Sequence, residues 1–263
     1  IFSVFDKSMI GWFSNGALEN GYYEQALKIV DMSLVIITTL STVMIPRIAK
    51  EHSKNNKEKI SEYLNKSFKF VLLSSIPMMI GVISIASIFI PWFFGKEYSN
   101  SISILCILSF LYIFMGINSL TGTQYLVSTN QQNKHTKFLL IGGLCNMVLN
   151  IVLIPRIHAN GAAIASVVGE GLVSILEITY LNKTKQYKAK NLFKCSKNYV
   201  VSGCFMAIIL MMLKAFFKNN MLLVIAMILV GAGIYFMILL ILKDDLVLNE
   251  VKKLKNKLVG RKN

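Results

Sequence analysis

The chain has 263 residues, of which 54% are hydrophobic and 16% charged, and it carries a formal net charge of +15. That balance excludes a soluble globular domain, whose core cannot enclose so much apolar surface, and assigns the chain to the membrane proteins. Basic chains also bind nucleic acid, but here the basic residues alternate with apolar spans, which excludes that class.

Apolar runs close to the length needed to cross about 30 Å of hydrocarbon recur along the whole sequence. Eight are read, near 1–14, 24–45, 68–91, 101–127, 137–155, 160–182, 197–216 and 221–242, each followed by a short polar connection. The fold class is therefore all-α, a polytopic transmembrane helical bundle of about eight membrane segments. The first run is half a span and begins at Ile1 without an initiator methionine or a signal-peptide pattern, so the chain reads as the C-terminal portion of a longer protein.

The first two runs carry the charges that most need explaining. Asp6 and Lys7 lie in the first, and Glu24, Lys28 and Asp31 follow in the second at i, i+4 and i+7, on one helix face. With a connection from Asn15 to Tyr22, both aspartates fall at about 13 Å from the outer boundary, near the bilayer midplane. Ionisable groups there cost at least about 2.5 kcal/mol each on insertion scales and mark paths for ions or polar substrates. Two readings stand. Asp6 pairs with Lys28 and Lys7 with Asp31 to staple two helices, or the lysines line a hydrated cavity and exchange their carboxylates for a substrate anion such as a phosphate.

Pro46 and Arg47 close the second run. Between Arg47 and Lys69, Ile60, Leu64 and Phe68 stand four apart among lysines and glutamates, which predicts an amphipathic helix lying at the interface. Pro77 interrupts the third run, and Pro91 and Pro155 fall near the ends of others. Asn118, Gln124, Asn146 and Asn150 suit hydrogen bonds between helices more often than the lining of a path. The small residues of 161–166 favour close helix packing. Glu170, again about 13 Å from the outer edge, is a candidate to be held neutral by a proton or to carry a coupling proton or sodium ion. Glu177 is expected nearer the cytoplasmic interface and solvated.

Orientation follows from the basic residues, since basic loops are retained in the cytoplasm. The stretches 46–69, 128–137, 182–198 and 243–263 hold 22 of the 28 lysines and arginines. Together with eight crossings, they put the C-terminus in the cytoplasm. Anionic lipids are the expected partners of these lysines, and the tail after Lys243 is expected to rest on the inner leaflet. Cys106, Cys145, Cys195 and Cys204 include no CxxC pair, and His52, His135 and His158 are widely spaced at loops or helix ends, so neither a disulfide framework nor a metal site is expected.

The order and spacing of several groups resemble the polysaccharide flippases, the Wzx-like branch of the multidrug/oligosaccharidyl-lipid/polysaccharide exporter superfamily. They are Asp6-Lys7 before Gly11; Gly21-Tyr22-Tyr23 with Ala26 and Lys28; Ile45-Pro46-Arg47; and Asn146, Asn150, Pro155 and Gly161-Ala162-Ala163. The resemblance implies a two-lobed alternating-access transporter of the bacterial cytoplasmic membrane, with the N-terminal lobe missing from this sequence. Residues 1–182 would form the second lobe, and 183–263 two appended helices with a basic cytoplasmic tail. Such proteins move an undecaprenyl-diphosphate-linked oligosaccharide, such as an O-antigen or capsule repeat unit, to the outer leaflet. Lys7, Lys28 and Arg47 would contact the substrate, and Asp6, Asp31 and Glu170 would tune them or couple an ion.

A cation or multidrug antiporter of the same superfamily shares this architecture but needs a cavity dominated by carboxylates and aromatics. An enzyme needs a positioned catalytic group, commonly on a sizeable loop, and the larger loops here hold chiefly lysines. No catalytic residue and no cofactor are expected.

Overall fold

The computed structural model describes residues 2–13, 16–184, 190–217, 220–249 and 251–252. The expected membrane-resting tail beyond residue 252 lies outside the described residues, as does the side chain of Cys195.

Among the described residues every regular element is helical. α1 spans Phe2–Phe13, α2 Gly16–Ser53 and α3 Lys57–Phe93. A short 3₁₀ turn, Lys96–Tyr98, leads to α4 (Ser101–Leu108) and α5 (Leu111–Asn118), which continues as a π-helix over Ser119–Val127. α6 spans Gln132–Lys183, α7 Lys190–Phe216 and α8 Met221–Ile241.

Among the described residues six stretches are long and apolar enough to cross a membrane, and α4, α5 and the π-helix together make one of them. α6 holds two of the expected runs. A straight helix of its 52 residues would be far longer than the hydrocarbon is thick, and it folds back on itself. The break is at Ile157 (φ −133°, ψ 19°) and His158 (φ 51°, ψ −134°), just after Pro155. Hydrogen bonding of Asn146 to Ser166 and of His135 to Glu177 shows the two arms running antiparallel. Glu19 caps the second arm by accepting a bond from the Ala159 N–H at 3.1 Å. Gly161 allows the arms to meet, because a Cβ there would lie 2.7 Å from the Leu153 carbonyl carbon.

The expected interfacial helix between residues 47 and 69 does not form as a separate element. α2 runs on to Ser53 and α3 starts at Lys57, joined by a tight turn in which Asn55 takes φ 55° and Asn56 caps α3. The periodicity was real but served another purpose. Ile48, Ile60, Leu64 and Phe68 are buried in a core shared with the π-helix, the end of α6, and α7 and α8. A second core joins α1, α2, α4, α5 and α6 around Ile10, Val30, Ile104 and Tyr112. α7 and α8 pack on each other and on α3.

Candidate functional site

Asp6 and Lys7 are neighbours on α1, so their side chains leave the helix about 100° apart and cannot serve one cavity. Asp6 turns inward. Its side chain is fully buried and takes hydrogen bonds from Tyr23 Oη at 2.7 Å, Asn146 Nδ2 at 3.1 Å and Asn150 Nδ2 at 2.6 Å, with Ser166 Oγ on the same carboxylate. Asn146 and Asn150 present one face of the first arm of α6, and Ser166 reaches the same point from the second. The small residues beside it let these elements approach: Ala162, Ala163 and Ala165 are all fully buried. Asn150 Oδ1 is also buried and has no hydrogen-bond partner.

Lys7 turns the other way, toward α2. Its Nζ lies 3.3 Å from Glu24 Oε1, and Lys28 Nζ lies 3.7 Å from the same oxygen. These side chains are 38%, 53% and 44% exposed for Lys7, Lys28 and Glu24. The two expected pairs, Asp6 with Lys28 and Lys7 with Asp31, are not the ones formed. Asp6 is caged by neutral donors, and a single glutamate bridges both lysines. Asp31 is within electrostatic range of Lys7 as well, so two ammonium groups and two carboxylates share this exposed face.

Asp31, one turn beyond Lys28, lines a cavity of about 500 Å³ together with Tyr23, Leu27, Met115, Leu144, Ser166 and Glu170. Glu170 is held by Asn118, whose Nδ2 donates to Oε2 at 2.6 Å, and Ser174 Oγ in turn donates to Asn118 Oδ1 at 2.5 Å. The cavity is thus apolar in most of its lining, with two carboxylates. Arg47 is exposed at the far end of α2, away from this cavity.

Sequence reasoning missed the part of Glu24 as a bridge and Tyr23 and Ser166 as donors to Asp6, and it put Glu177 in the wrong surroundings. Glu177 is not solvated: its side chain is fully buried and bonded to Thr121 and His135. Its depth was counted along a helix, while burial is decided by the neighbouring π-helix, which no sequence period announces. Asn146 and Asn150 do bond between helices, as their polarity and spacing suggested.

A family model described as "Lipid II flippase MurJ" matches residues 12–231. The uncharacterized membrane protein MJ1068 of Methanocaldococcus jannaschii is 27% identical over 99% of this chain and 51% of its own length. The probable low-salt glycan biosynthesis flippase Agl15 of Haloferax volcanii is 24% identical over 69% of this chain and 38% of its own length. A solved structure of a lipid II flippase MurJ in an inward closed conformation superposes with a TM-score of 0.76 at 20% identity, covering 94% of this chain and 51% of that one. It shows the fold. The chain spans about half the length, or less, of these relatives.

Proposed function

The chain belongs to the family of the lipid II flippase MurJ, and from that premise we propose that it forms one lobe of an alternating-access flippase for a lipid-linked oligosaccharide. The substrate class we infer is an undecaprenyl-diphosphate-linked polysaccharide repeat unit, carried across the cytoplasmic membrane with the C-terminus inside. Its task is transport rather than catalysis. The N-terminal lobe of the same protein would complete the cavity.

The observation that carries this reading is the pair of exposed lysines on one glutamate. Because Asp6 is withdrawn into its own cage, Lys7 and Lys28 are held only by an exposed carboxylate that both share, and neither is locked into a buried pair. An ammonium can leave a solvated carboxylate for a diphosphate at little cost, since exposed ion pairs contribute only about 0–1 kcal/mol. Arg47, exposed at the basic end of α2, would meet the headgroup on arrival or an anionic lipid phosphate. Asp6, Asp31 and Glu170 are assigned to ion coupling. Asp6 is the most enclosed of these, its carboxylate fully buried and held by donors from Tyr23, Asn146, Asn150 and Ser166.

The test is translocation of a radiolabelled lipid-diphosphate oligosaccharide in vesicles holding the full-length protein. Wild type should transport, and Lys28→Ala at matched abundance should fall about tenfold, the equivalent of one charge-assisted contact. The apolar cavity with Asp31 and Glu170 favours a second reading, a lipophilic-cation antiporter. Export of a cationic dye that is lost in Asp31→Asn, with no lipid translocation, would establish that one instead.

A further inference from the structure

A second buried ionisable pair lies away from the Asp6 cage, at the end of the bundle where the basic connections gather. His135 Nδ1 and Glu177 Oε1 are 2.5 Å apart, with side chains 16% and 0% exposed. The pair ties the start of the first α6 arm to the end of the second. Thr121, on the π-helix, bonds the other carboxylate oxygen, so three segments meet at one carboxylate.

The π-helix makes the space for it. A Cβ on Gly122 would lie 2.2 Å from His135 Cε1 and 2.7 Å from Glu177 Oε1, so only glycine lets the imidazole and carboxylate sit against this backbone. π-turns break the regular ladder at a cost and recur at functional sites. Here the turn is further fastened to α2, with Gln124 Nε2 donating to Ser41 Oγ at 2.9 Å.

One proton distinguishes two states of the pair. With a neutral imidazole, Nδ1–H donates to the carboxylate and the buried pair carries a net negative charge. With a second proton on Nε2, imidazolium and carboxylate sum to zero. A buried net charge is far more costly than a hydrogen-bonded neutral pair, and imidazole is the side chain whose charge ordinarily changes between pH 5 and 8.

We propose that His135 and Glu177 form a proton-binding site, and that the bound proton fastens the two arms of α6 to the π-helix. Charged and titratable groups on the packed elements at this end include Tyr125 on the π-helix, Lys134, Lys137, Glu170, Tyr180 and Lys183 on α6, and Arg47, Lys50 and Glu51 on α2. Lys134 lies over the Tyr180 ring, 5.8 Å from its centroid, and Glu170 is within electrostatic range of both members of the pair. Loss of the proton leaves the negative pair to be stabilised by water, which opens this end; gain of the proton closes it. The effect on transport rests on the flippase reading, whereas the proton site itself does not.

The first arm of the test uses unaltered full-length protein in liposomes, labelled with ¹⁵N-histidine and ¹³C-glutamate, and solid-state NMR. A histidine nitrogen in dipolar contact with a glutamate carboxyl, with a shift that changes between pH 5 and 8, is expected. Contact without any change across that range, or no contact, overturns the site. The second arm measures translocation of the lipid-diphosphate oligosaccharide over the same range. Wild type should vary about tenfold, and His135→Gln and Glu177→Gln should each flatten the profile to within about twofold. A titrating pair with the same pH profile in wild type and both variants overturns the coupling to transport. A titrating pair in a protein that moves no such lipid overturns the flippase reading and leaves the proton site standing.

Discussion

Glu24 sets how much charge Lys7 and Lys28 present, because both ammonium groups lie within 4 Å of one of its oxygens. If the lysines hold a substrate anion, Glu24 competes with it. Glu24→Gln should therefore lower the substrate concentration for half-maximal transport by about three- to tenfold, whereas Lys28→Ala raises it, with protein abundance unchanged in both; the competing exposed pair is weak enough to be displaced. Initial rates in vesicles over a substrate series measure this. If both changes lower abundance instead, the trio is a staple between α1 and α2.

Asp6 predicts the opposite behaviour. Its carboxylate takes bonds from four side chains, and Asp6→Asn puts an amide N–H₂ where donors already converge. The variant should lose about 2–4 kcal/mol of stability, as expected when a buried polar group loses its partners, read as a fall in the melting temperature of the purified full-length protein. Asn146 and Asn150 were legible at this scale, since a spacing of four puts two amides on one face. Which carboxylate they serve was not, because that depends on how α1 is rotated against α6.

The fold-back of α6 was half legible. Pro155, near the end of one run, marked an interruption before the next, but not that the turn would be as short as two non-helical residues, Ile157 and His158. The reason it can be so short is Gly161, whose missing side chain admits the Leu153 backbone, together with the Glu19 cap on Ala159. Gly161→Leu should drive the arms apart and cost roughly 2–3 kcal/mol or prevent insertion, as overpacking against rigid backbone does. Glu19→Ala should cost about 1 kcal/mol through the lost cap. Thermal denaturation of the two variants beside wild type gives the order, and a larger loss from Glu19→Ala than from Gly161→Leu would contradict this account of the turn. The π-helix lay beyond the sequence because its stabilising partners, Ser41 and Glu177, come from distant segments.

At the scale of the molecule, each of the eight apolar runs falls on a helical segment among the described residues, since the membrane leaves backbone groups no option but helices. What they could not place was the ends of α2 and α3, which continue past the apolar runs because Ile48, Ile60, Leu64 and Phe68 have a core to enter. We propose that 1–182 acts as the transporting lobe and 183–263 as an appended unit, since α7 and α8 pack on each other and on α3. The seam is specific. A Cβ on Gly203 of α7 would lie 2.7 Å from Ile76 Cγ2 and 2.9 Å from Ile80 Cδ1 of α3, a close approach of the kind small residues permit between membrane helices. Gly203→Leu should push α7 off α3 while leaving Asp6, Lys28 and their partners in place. The expected outcome is a melting temperature lower by several degrees, as a loss of about 1–3 kcal/mol implies, with translocation per molecule within about twofold of wild type. If transport instead falls tenfold at matched abundance, α7 and α8 belong to the working lobe, and the division at residue 182 has no functional meaning.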